Sequence, residues 1–299
     1  MYRILKKILT RVHEEGKRIP LTNDSKFIFF SDTHMGNNSY ADDFAHNRNI
    51  LHHALRTYND KKFNFVLLGD GIEFWENNLF ADIFEAHKNV FLKMKEFHSE
   101  GRLHLLWGNH DMILKNPRKV KKYLYRYFDE AMGNYKELFK GITIEESIIL
   151  DLPDSEKDIL LIHGHQADYF NYALWRVNRF LVQVLWTPLQ VVGIKNPASP
   201  AKNYRDLKKV ERTIKRWIQE NDNQIIIAGH THRPRFPNTG DIPYFNDGSC
   251  VHPRFITGIE IENLEISLVK WSIVTNKEGM LQIKKSVLNG PKKIENYIN

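Results

Sequence analysis

Five short apolar runs are spaced along the chain, and each is followed at once by glycine or by polar residues. Runs of four or five apolar residues that end in this way are typical of buried β-strands. The sequence therefore predicts strands at Phe27–Phe30, Phe65–Leu68, Leu103–Trp107, Ile159–Ile162 and Ile225–Ala228.

Between these runs, apolar residues recur at helical spacing. The pattern covers 44–58, 84–97 (with Gly101 ending it) and 204–218. Segments that alternate between strand and helix patterns predict a layered α/β fold.

Further alternating runs predict two hairpins, one within 142–163 around Pro153–Ser155 and one that joins Phe255–Ile261 to Leu264–Trp271 at Asn263. The lysine-rich end after about residue 276 is predicted to form a last strand and a loose tail.

Residues 1–20 carry apolar side chains at helical spacing, with lysines and an arginine on the other side. The apolar stretch is too short and too interrupted for a secretory signal. Two interpretations stay open: a helix docked on its own protein, or a helix that lies on an anionic lipid surface.

Residues 167–194 are rich in large apolar side chains, but Arg176 and Arg179 lie in their middle. Charged groups at the centre of a bilayer are costly, so we predict no transmembrane span. We expect one domain over 1–299, with a cap-like apolar insertion at about 166–205 that is interrupted near Thr187–Pro188. Extra core packing or a dimer interface is the alternative role for this insertion.

Composition narrows the choice of partner. The 299 residues include 43 basic and 36 acidic ones, so the net charge is +7, which favours an anionic partner. Cys250 is the single cysteine, which excludes an intramolecular disulfide and agrees with a reducing compartment. We expect a cytoplasmic protein, with membrane association as a hypothesis for the first segment.

Residue types that bind metal ions follow all five apolar runs. These clusters are Asp32-Thr33-His34, Gly69-Asp70, Gly108-Asn109-His110-Asp111, His163-Gly164-His165 and Gly229-His230-Thr231-His232. Sites in α/β sheets collect at the carboxyl ends of strands, so the clusters predict one shared site. If the chain stays extended past the last strand, His230 and His232 point to the same side of it.

In this order, the five clusters resemble those of the calcineurin-like metallophosphoesterases, over residues 27 to about 271. The resemblance implies a four-layer α-β-β-α sandwich of two mixed sheets and two divalent metal ions per chain. It implies that Asp32, His34 and His232 hold one ion, that Asn109, His163 and His230 hold the other, and that Asp70 bridges them. Imidazole and carboxylate ligands favour manganese, with iron, zinc or magnesium as alternatives.

Two ions in such a site would clamp a phosphoryl group and activate a water for attack on phosphorus. His110, next to Asn109, is expected to stabilise or protonate the leaving group. Asp111 is expected to orient His110, with a structural role in the turn as the alternative. We expect His165 to contact the substrate or to donate a hydrogen bond near it.

The 69–75 segment, the Gly229–Pro234 ending and the apolar insertion are similar to those of the UDP-diacylglucosamine hydrolases, which cleave a lipid-linked diphosphate beneath an apolar cap. This chain differs from that branch at His110, where the branch has arginine, and at His165, where it has aspartate. Arg176 and Arg179 lie among the apolar residues of the insertion and suit a second phosphate or a lipid headgroup, which they would bind by charge-assisted hydrogen bonds. Arg233 is a further candidate substrate contact.

The leading hypothesis is a dinuclear phosphohydrolase that acts on a phosphorylated small molecule or a lipid-linked phosphoester or pyrophosphate. A nucleotide phosphodiesterase, a nuclease or a protein phosphatase is the alternative; the apolar insertion disfavours nucleic acid. A non-catalytic metal-bound scaffold is the third hypothesis, and the complete set of candidate ligands disfavours it.

Overall fold

The computed structural model describes residues 1–153, 155–182, 184 and 204–298. Its strands are β1 (Lys17–Pro20), β2 (Lys26–Phe30), β3 (Asn64–Leu68), β4 (Leu103–Leu106), β5 (Arg126–Asp129), β6 (Asn134–Glu137), β7 (Ile144–Glu145), β8 (Ser147–Asp151), β9 (Asp158–Ile162), β10 (Ile225–Ala228), β11 (Tyr244–Asn246), β12 (Phe255–Glu262), β13 (Glu265–Thr275) and β14 (Leu281–Lys293). The helices of the described part are α1 (Tyr2–Glu14), α2 (Arg48–Asp60), α3 (Phe80–Ala86), α4 (Lys88–Ser99), α5 (Pro117–Leu124), α6 (Tyr169–Ala173), α7 (Trp175–Leu181) and α8 (Tyr204–Gln219).

Two large mixed sheets form the centre of the fold. One has the order β1-β8-β9-β10-β11 and the other the order β14-β13-β12-β2-β3-β4-β7, while β5 and β6 pair separately. All five strands predicted from the apolar runs are present. In the larger sheet β2, β3 and β4 are parallel neighbours, and in the smaller sheet β9 and β10 are parallel neighbours. Their carboxyl ends therefore carry the polar clusters to one edge of each sheet.

The packing of side chains produces four layers. Phe27 and Phe29 of β2 face the smaller sheet, while Ile28 and Phe30 face the helices on the other side. The smaller sheet likewise buries one face against the larger sheet and the other against α1 and α8. Because both faces of each sheet are covered, the central strands are apolar at nearly every position. This confirms the expected α-β-β-α sandwich.

Several local predictions need correction. The 84–97 pattern divides at His87 into α3 and α4 rather than forming one helix. The tail after β14 is not loose: a 3₁₀ turn at Ile294–Tyr297 buries both of its end residues, and the Tyr297 hydroxyl donates to the Pro237 carbonyl at 2.9 Å. The hairpin between β12 and β13 is confirmed, with positive φ at Asn263 and Leu264 as its tight turn requires.

Helix α1 is docked on its own protein. Leu9 and Val12 are buried against α8 and the smaller sheet. The indole Nε1 of Trp217 in α8 donates to the Thr10 hydroxyl at 3.1 Å, which fixes the helix further. The apolar face of α1 is thus used inside the fold, and this decides between the two interpretations of residues 1–20.

The described part of the apolar insertion forms two short helices, α6 and α7, that meet at Leu174. The predicted interruption near Thr187–Pro188 lies outside the described residues. In the part of the chain that the structure describes, no helix has the length and apolar character needed to cross a membrane.

Loss of the α1 contact should destabilise the protein. Leu9→Ala removes a fully buried side chain, so the free energy of unfolding should fall by about 2–5 kcal/mol. Ile4→Ala in the same helix is the control, since Ile4 is half exposed and should change it by less than about 1 kcal/mol. Urea unfolding followed by circular dichroism measures both. Equal, small effects would mean that α1 does not pack as described.

Candidate metal centre

The strand ends bring aspartates and histidines together in three overlapping groups. Within each group the potential ligand atoms lie within 4.8 Å of one another. The groups are Asp32–His34–His232, His34–Asp70–His110 and Asp70–His163–His230. The first and third groups correspond to the two ligand sets that the family resemblance implied. Asn109, the remaining implied ligand, is an amide and so is not counted in these groups of aspartates and histidines.

Asp70 lies between the two sets. Its Oδ2 is 3.2 Å from His163 Nε2 on one side and 3.7 Å from His34 Nε2 on the other. Asp32 Oδ1 is 3.0 Å from His232 Nε2. Asp70 Oδ2 therefore lies between an imidazole of one ligand set and an imidazole of the other. This is the position that a bridging ligand requires.

The histidines are oriented by hydrogen bonds at their outer nitrogens. His163 Nδ1 donates to the Leu68 carbonyl at 2.7 Å, and His34 Nδ1 donates to Glu73 Oε2 at 2.8 Å. Each bond places a proton on Nδ1, so Nε2 is the nitrogen that offers a lone pair when the ring is neutral, as in metal-binding histidines generally.

Several atoms that face the ligand groups make no well-directed hydrogen bond among the described residues, even where an imidazole or a carboxylate lies within 3.0–3.2 Å. They are Asp32 Oδ1, His34 Nε2, His163 Nε2 and both amide atoms of Asn109, all buried. Buried polar atoms without partners are costly and uncommon. Nitrogen and oxygen atoms that converge in this way without hydrogen bonds are suited to coordinate divalent metal ions.

The backbone at the strand ends is left-handed. Asp32, His34, Asp70, His230 and His232 all have φ between 44° and 63°. Each such non-glycine residue costs on the order of 1–3 kcal/mol, and such strain concentrates at functional sites. The expectation that His230 and His232 extend a strand is wrong, because β10 ends at Ala228 and both residues then turn. As a result His230 faces His163, with ring centroids 5.1 Å apart, and His232 faces His34 at 5.4 Å.

Two glycines let the strand ends approach one another. A Cβ on Gly108 would lie 2.2 Å from Asp70 Oδ1, and one on Gly229 would lie 2.3 Å from Ser31 Oγ. Neither position can hold a side chain without displacing a carboxylate or its support.

The charges of the centre stabilise one another. Burial by itself raises the pKa of Asp32 and of Asp70, but neighbouring imidazoles hold both pKa values well below their usual range. Burial likewise lowers the pKa of His163, yet Asp70 and Asp32 raise it to about 9. The two carboxylates are therefore ionised at neutral pH and available to cations.

His110 is held beside this centre by Glu73. Its Nδ1 donates to the Glu73 carboxylate at 2.7–2.9 Å, and its ring stacks on Trp75 with centroids 4.1 Å apart. Its Nε2 is buried and has no hydrogen-bond partner in the described part. Glu73 thus orients two histidines, His34 and His110. Its position three residues after Asp70 is the one signal in the sequence for this role.

Asp111 does not orient His110. Its carboxylate accepts hydrogen bonds from the backbone N–H groups of Gly71 at 2.8 Å and Gly108 at 2.5 Å. Burial and the nearby Asp70 raise its pKa to about 6. Asp111 therefore braces the loops after β3 and β4, which was the alternative, structural role.

His165 lies next to the centre but outside the three groups. It is fully buried, neither ring nitrogen has a partner among the described residues, and its ring centroid is 5.3 Å from that of His163. Burial and the imidazoles of His163 and His230 lower its pKa well below the usual range, so its ring is neutral.

Asp168 was missed by the sequence analysis. Its Oδ2 lies 3.5 Å from His230 Nε2, and the same side chain accepts from the N–H of Asn171 at the start of α6. The apolar insertion is thus attached to the centre at its first residues. Only the short separation from His165 along the chain could have indicated this.

The three candidate arginines lie in different surroundings. Arg179 donates from Nε to the Phe74 carbonyl at 3.1 Å, beside Trp75. Arg176 is exposed, and its guanidinium lies 5.4 Å from the Trp175 ring centroid. Arg233 is half-buried next to His232.

Comparisons with known proteins agree with this arrangement. The family model described as calcineurin-like phosphoesterase matches residues 25–234, a range that includes every candidate ligand. No curated protein that was compared matches the chain.

Solved structures with a similar chain trace include Vps29 from Cryptosporidium parvum (14% identity, 89% of this chain and 98% of that one, TM-score 0.37). Vps29 from Chaetomium thermophilum has 7% identity, covers 88% and 96%, and has a TM-score of 0.37. A putative 5'-nucleotidase from Staphylococcus aureus has 12% identity and a TM-score of 0.36; 88% of this chain matches 54% of that one.

The shared position of Asp70 predicts the effect of its loss. Asp70→Ala should lower affinity at both metal positions by more than the about 10–100-fold that removal of an outer partner costs. Mass spectrometry of the reconstituted protein should then find well below two ions per chain. Asp60→Ala, at the exposed end of α2, is the control and should retain full content. Two ions per chain in Asp70→Ala would contradict the assignment.

Proposed function

Because the chain belongs to the calcineurin-like phosphoesterases, we propose that it is a phosphoester hydrolase that depends on two divalent metal ions. One observation carries the proposal: buried donor atoms of Asp32, His34, His163 and Asn109 converge without hydrogen-bond partners among the described residues. When bound, the ions supply a clamp for the phosphoryl oxygens and activate a water.

Each side chain of the centre then has a role. Asp32, His34 and His232 would hold one ion, Asn109, His163 and His230 would hold the other, and Asp70 would serve both. Manganese is favoured by this mixture of imidazole and carboxylate, with iron, zinc or magnesium as alternatives.

His110 is the proposed acid for the leaving group. Its hydrogen bond to Glu73 occupies Nδ1, and the Glu73 and Asp70 carboxylates raise its pKa against the effect of burial. Nε2 of the imidazolium can then donate a proton to the departing oxygen. Trp75 supports the ring from one side by stacking. Glu73 acts through His110 and His34, and so it is a positioning residue.

The substrate that we propose is amphiphilic, as for the UDP-diacylglucosamine hydrolases that the sequence resembles. The insertion adjoins the centre through Asp168 and through the bond from Arg179 to Phe74. Trp175 and Arg179 are four residues apart on one face of α7, so an apolar and a cationic side chain share the side of the helix nearest the centre. Arg176, Arg233 and neutral His165 are the other proposed contacts; the rest of the cap lies outside the described residues.

Hydrolysis of nitrophenyl phosphate mono- and diesters tests the activity. Protein stripped by a chelator should be inactive and should recover with Mn²⁺. His110→Ala should lower kcat by about 10²-fold or more while both ions remain bound, and the loss should shrink for leaving groups that need no proton.

His98→Ala is the matched control for His110, because His98 is a half-buried histidine whose ring nitrogen bonds the Lys140 carbonyl. It should retain full activity. Glu73→Gln should lower kcat more than it changes KM. A metal-loaded protein with no activity on any ester would refute the proposal and favour a metal-bound scaffold.

A series of phosphodiesters that differ in alkyl chain length tests the substrate class. Each methylene buried against the cap contributes about 0.8 kcal/mol, so kcat/KM should rise about fourfold per methylene in contact. Trp175→Ala should flatten the series, whereas Leu281→Ala, at an exposed strand position, should not. A flat series in the unmodified protein, measured below the aggregation concentration, would exclude the amphiphilic substrate.

A further inference from the structure

Helix α7 presents its apolar side to solvent. Leu174, the residue before α7, and Val177 and Leu181 within it recur at intervals of three and four residues, and they therefore lie in a stripe along one side of the helix. Their exposed fractions are between 39% and 53%, and Phe180 beside the stripe is 61% exposed. A surface helix ordinarily turns such a stripe toward the core, so this orientation is the reverse of the usual one.

The inward side of α7 is held by polar contacts. Asn178 Nδ2 donates to the Phe170 carbonyl at 3.2 Å, and Arg179 Nε donates to the Phe74 carbonyl at 3.1 Å. Phe170 in α6 is itself 58% exposed. The first bond joins α7 to α6, and the second joins it to the segment after β3. The side that carries Arg179 therefore faces the protein, and the apolar side is left to solvent.

The surroundings of the stripe are positively charged. Residues 169–182, which include α6 and α7, contain no aspartate or glutamate, and the exposed Arg176 is on α7 itself. Helix α5 lies near this surface as well. Phe74 accepts the hydrogen bond from Arg179, and its ring lies 5.1 Å from that of Tyr123 in α5. Residues 112–128, which include α5, carry six basic and no acidic residues.

We propose that α6 and α7 form a docking surface for an anionic lipid bilayer, with the exposed side chains of Phe170, Val177 and Phe180 entering its interfacial layer. Apolar side chains flanked by arginine and lysine have the composition of segments that lie in a membrane interface. A second copy of this chain fits less well, because a twofold interface would place the same cationic surface against itself. Helix α1 is not this surface, since its apolar face is buried.

Sedimentation of the full-length protein with lipid vesicles tests this surface. Vesicles that contain phosphatidylglycerol should bind the protein, pure phosphatidylcholine vesicles should bind it much more weakly, and added salt should release it. Val177→Ser combined with Phe180→Ser should weaken binding by about tenfold or more. Both positions are exposed, so the thermal melting curve should be unchanged.

Met280→Ser combined with Leu281→Ser is the matched control, because these residues are 61% and 75% exposed on a different element. The control should bind vesicles normally. An equal loss in the control, no binding to anionic vesicles, or a change from dimer to monomer in the Val177/Phe180 variant would each overturn the proposal. Binding is measured without metal or substrate, so these outcomes do not depend on the proposed hydrolase activity.

Discussion

Unpaired polar atoms at the ends of β2, β4 and β9 are the constraint on which the rest of this structure depends. Asp32, His34, Asn109 and His163 bury donor atoms without hydrogen-bond partners among the described residues, and five of the candidate ligands adopt left-handed backbone. Both features cost free energy. A metal ion in each of the two ligand sets would satisfy the open ligand atoms and recover part of that cost, which is how ligand binding stabilises a native state.

The surrounding fold makes this arrangement tolerable. Two sheets buried on both faces supply a rigid apolar centre, and their strand ends are linked by side-chain-to-backbone bonds. Asp111 joins the loops after β3 and β4. On the smaller sheet's side, Ser31 donates to Asp247 at 2.7 Å while the His230 N–H donates to Asp32 at 2.9 Å. The strain at the centre is thus held by contacts that do not themselves face it.

Helices α1 and α7 each have an apolar side, which is buried in α1 and exposed in α7. The stripe of α1 covers the outer face of the smaller sheet, where Leu9 and Val12 are buried. The stripe of α7 remains outside, because Asn178 and Arg179 occupy the side that faces the protein. An apolar surface that lies beside the proposed catalytic centre would bring a lipid-linked substrate and the metal ions close together, which connects the two proposals without making one depend on the other.

The sequence by itself determined the five central strands and the polar clusters that follow them. The reason is local: a strand buried on both faces must be apolar throughout, and its end is marked by the first polar residues. The family resemblance then sorted the clusters into two ligand sets, which the geometry reproduces for the aspartates and histidines.

Only the tertiary structure decided which distant groups meet. Glu73 contacts His34 and His110, and Asp168 approaches His230, because strand register and loop direction bring these segments together. The left-handed turn after β10 separates His230 from His232, which an extended strand would have kept on one side. The outward direction of the α7 stripe has the same origin: periodicity shows that a helix has an apolar side, but the contacts of its polar side determine where that side points.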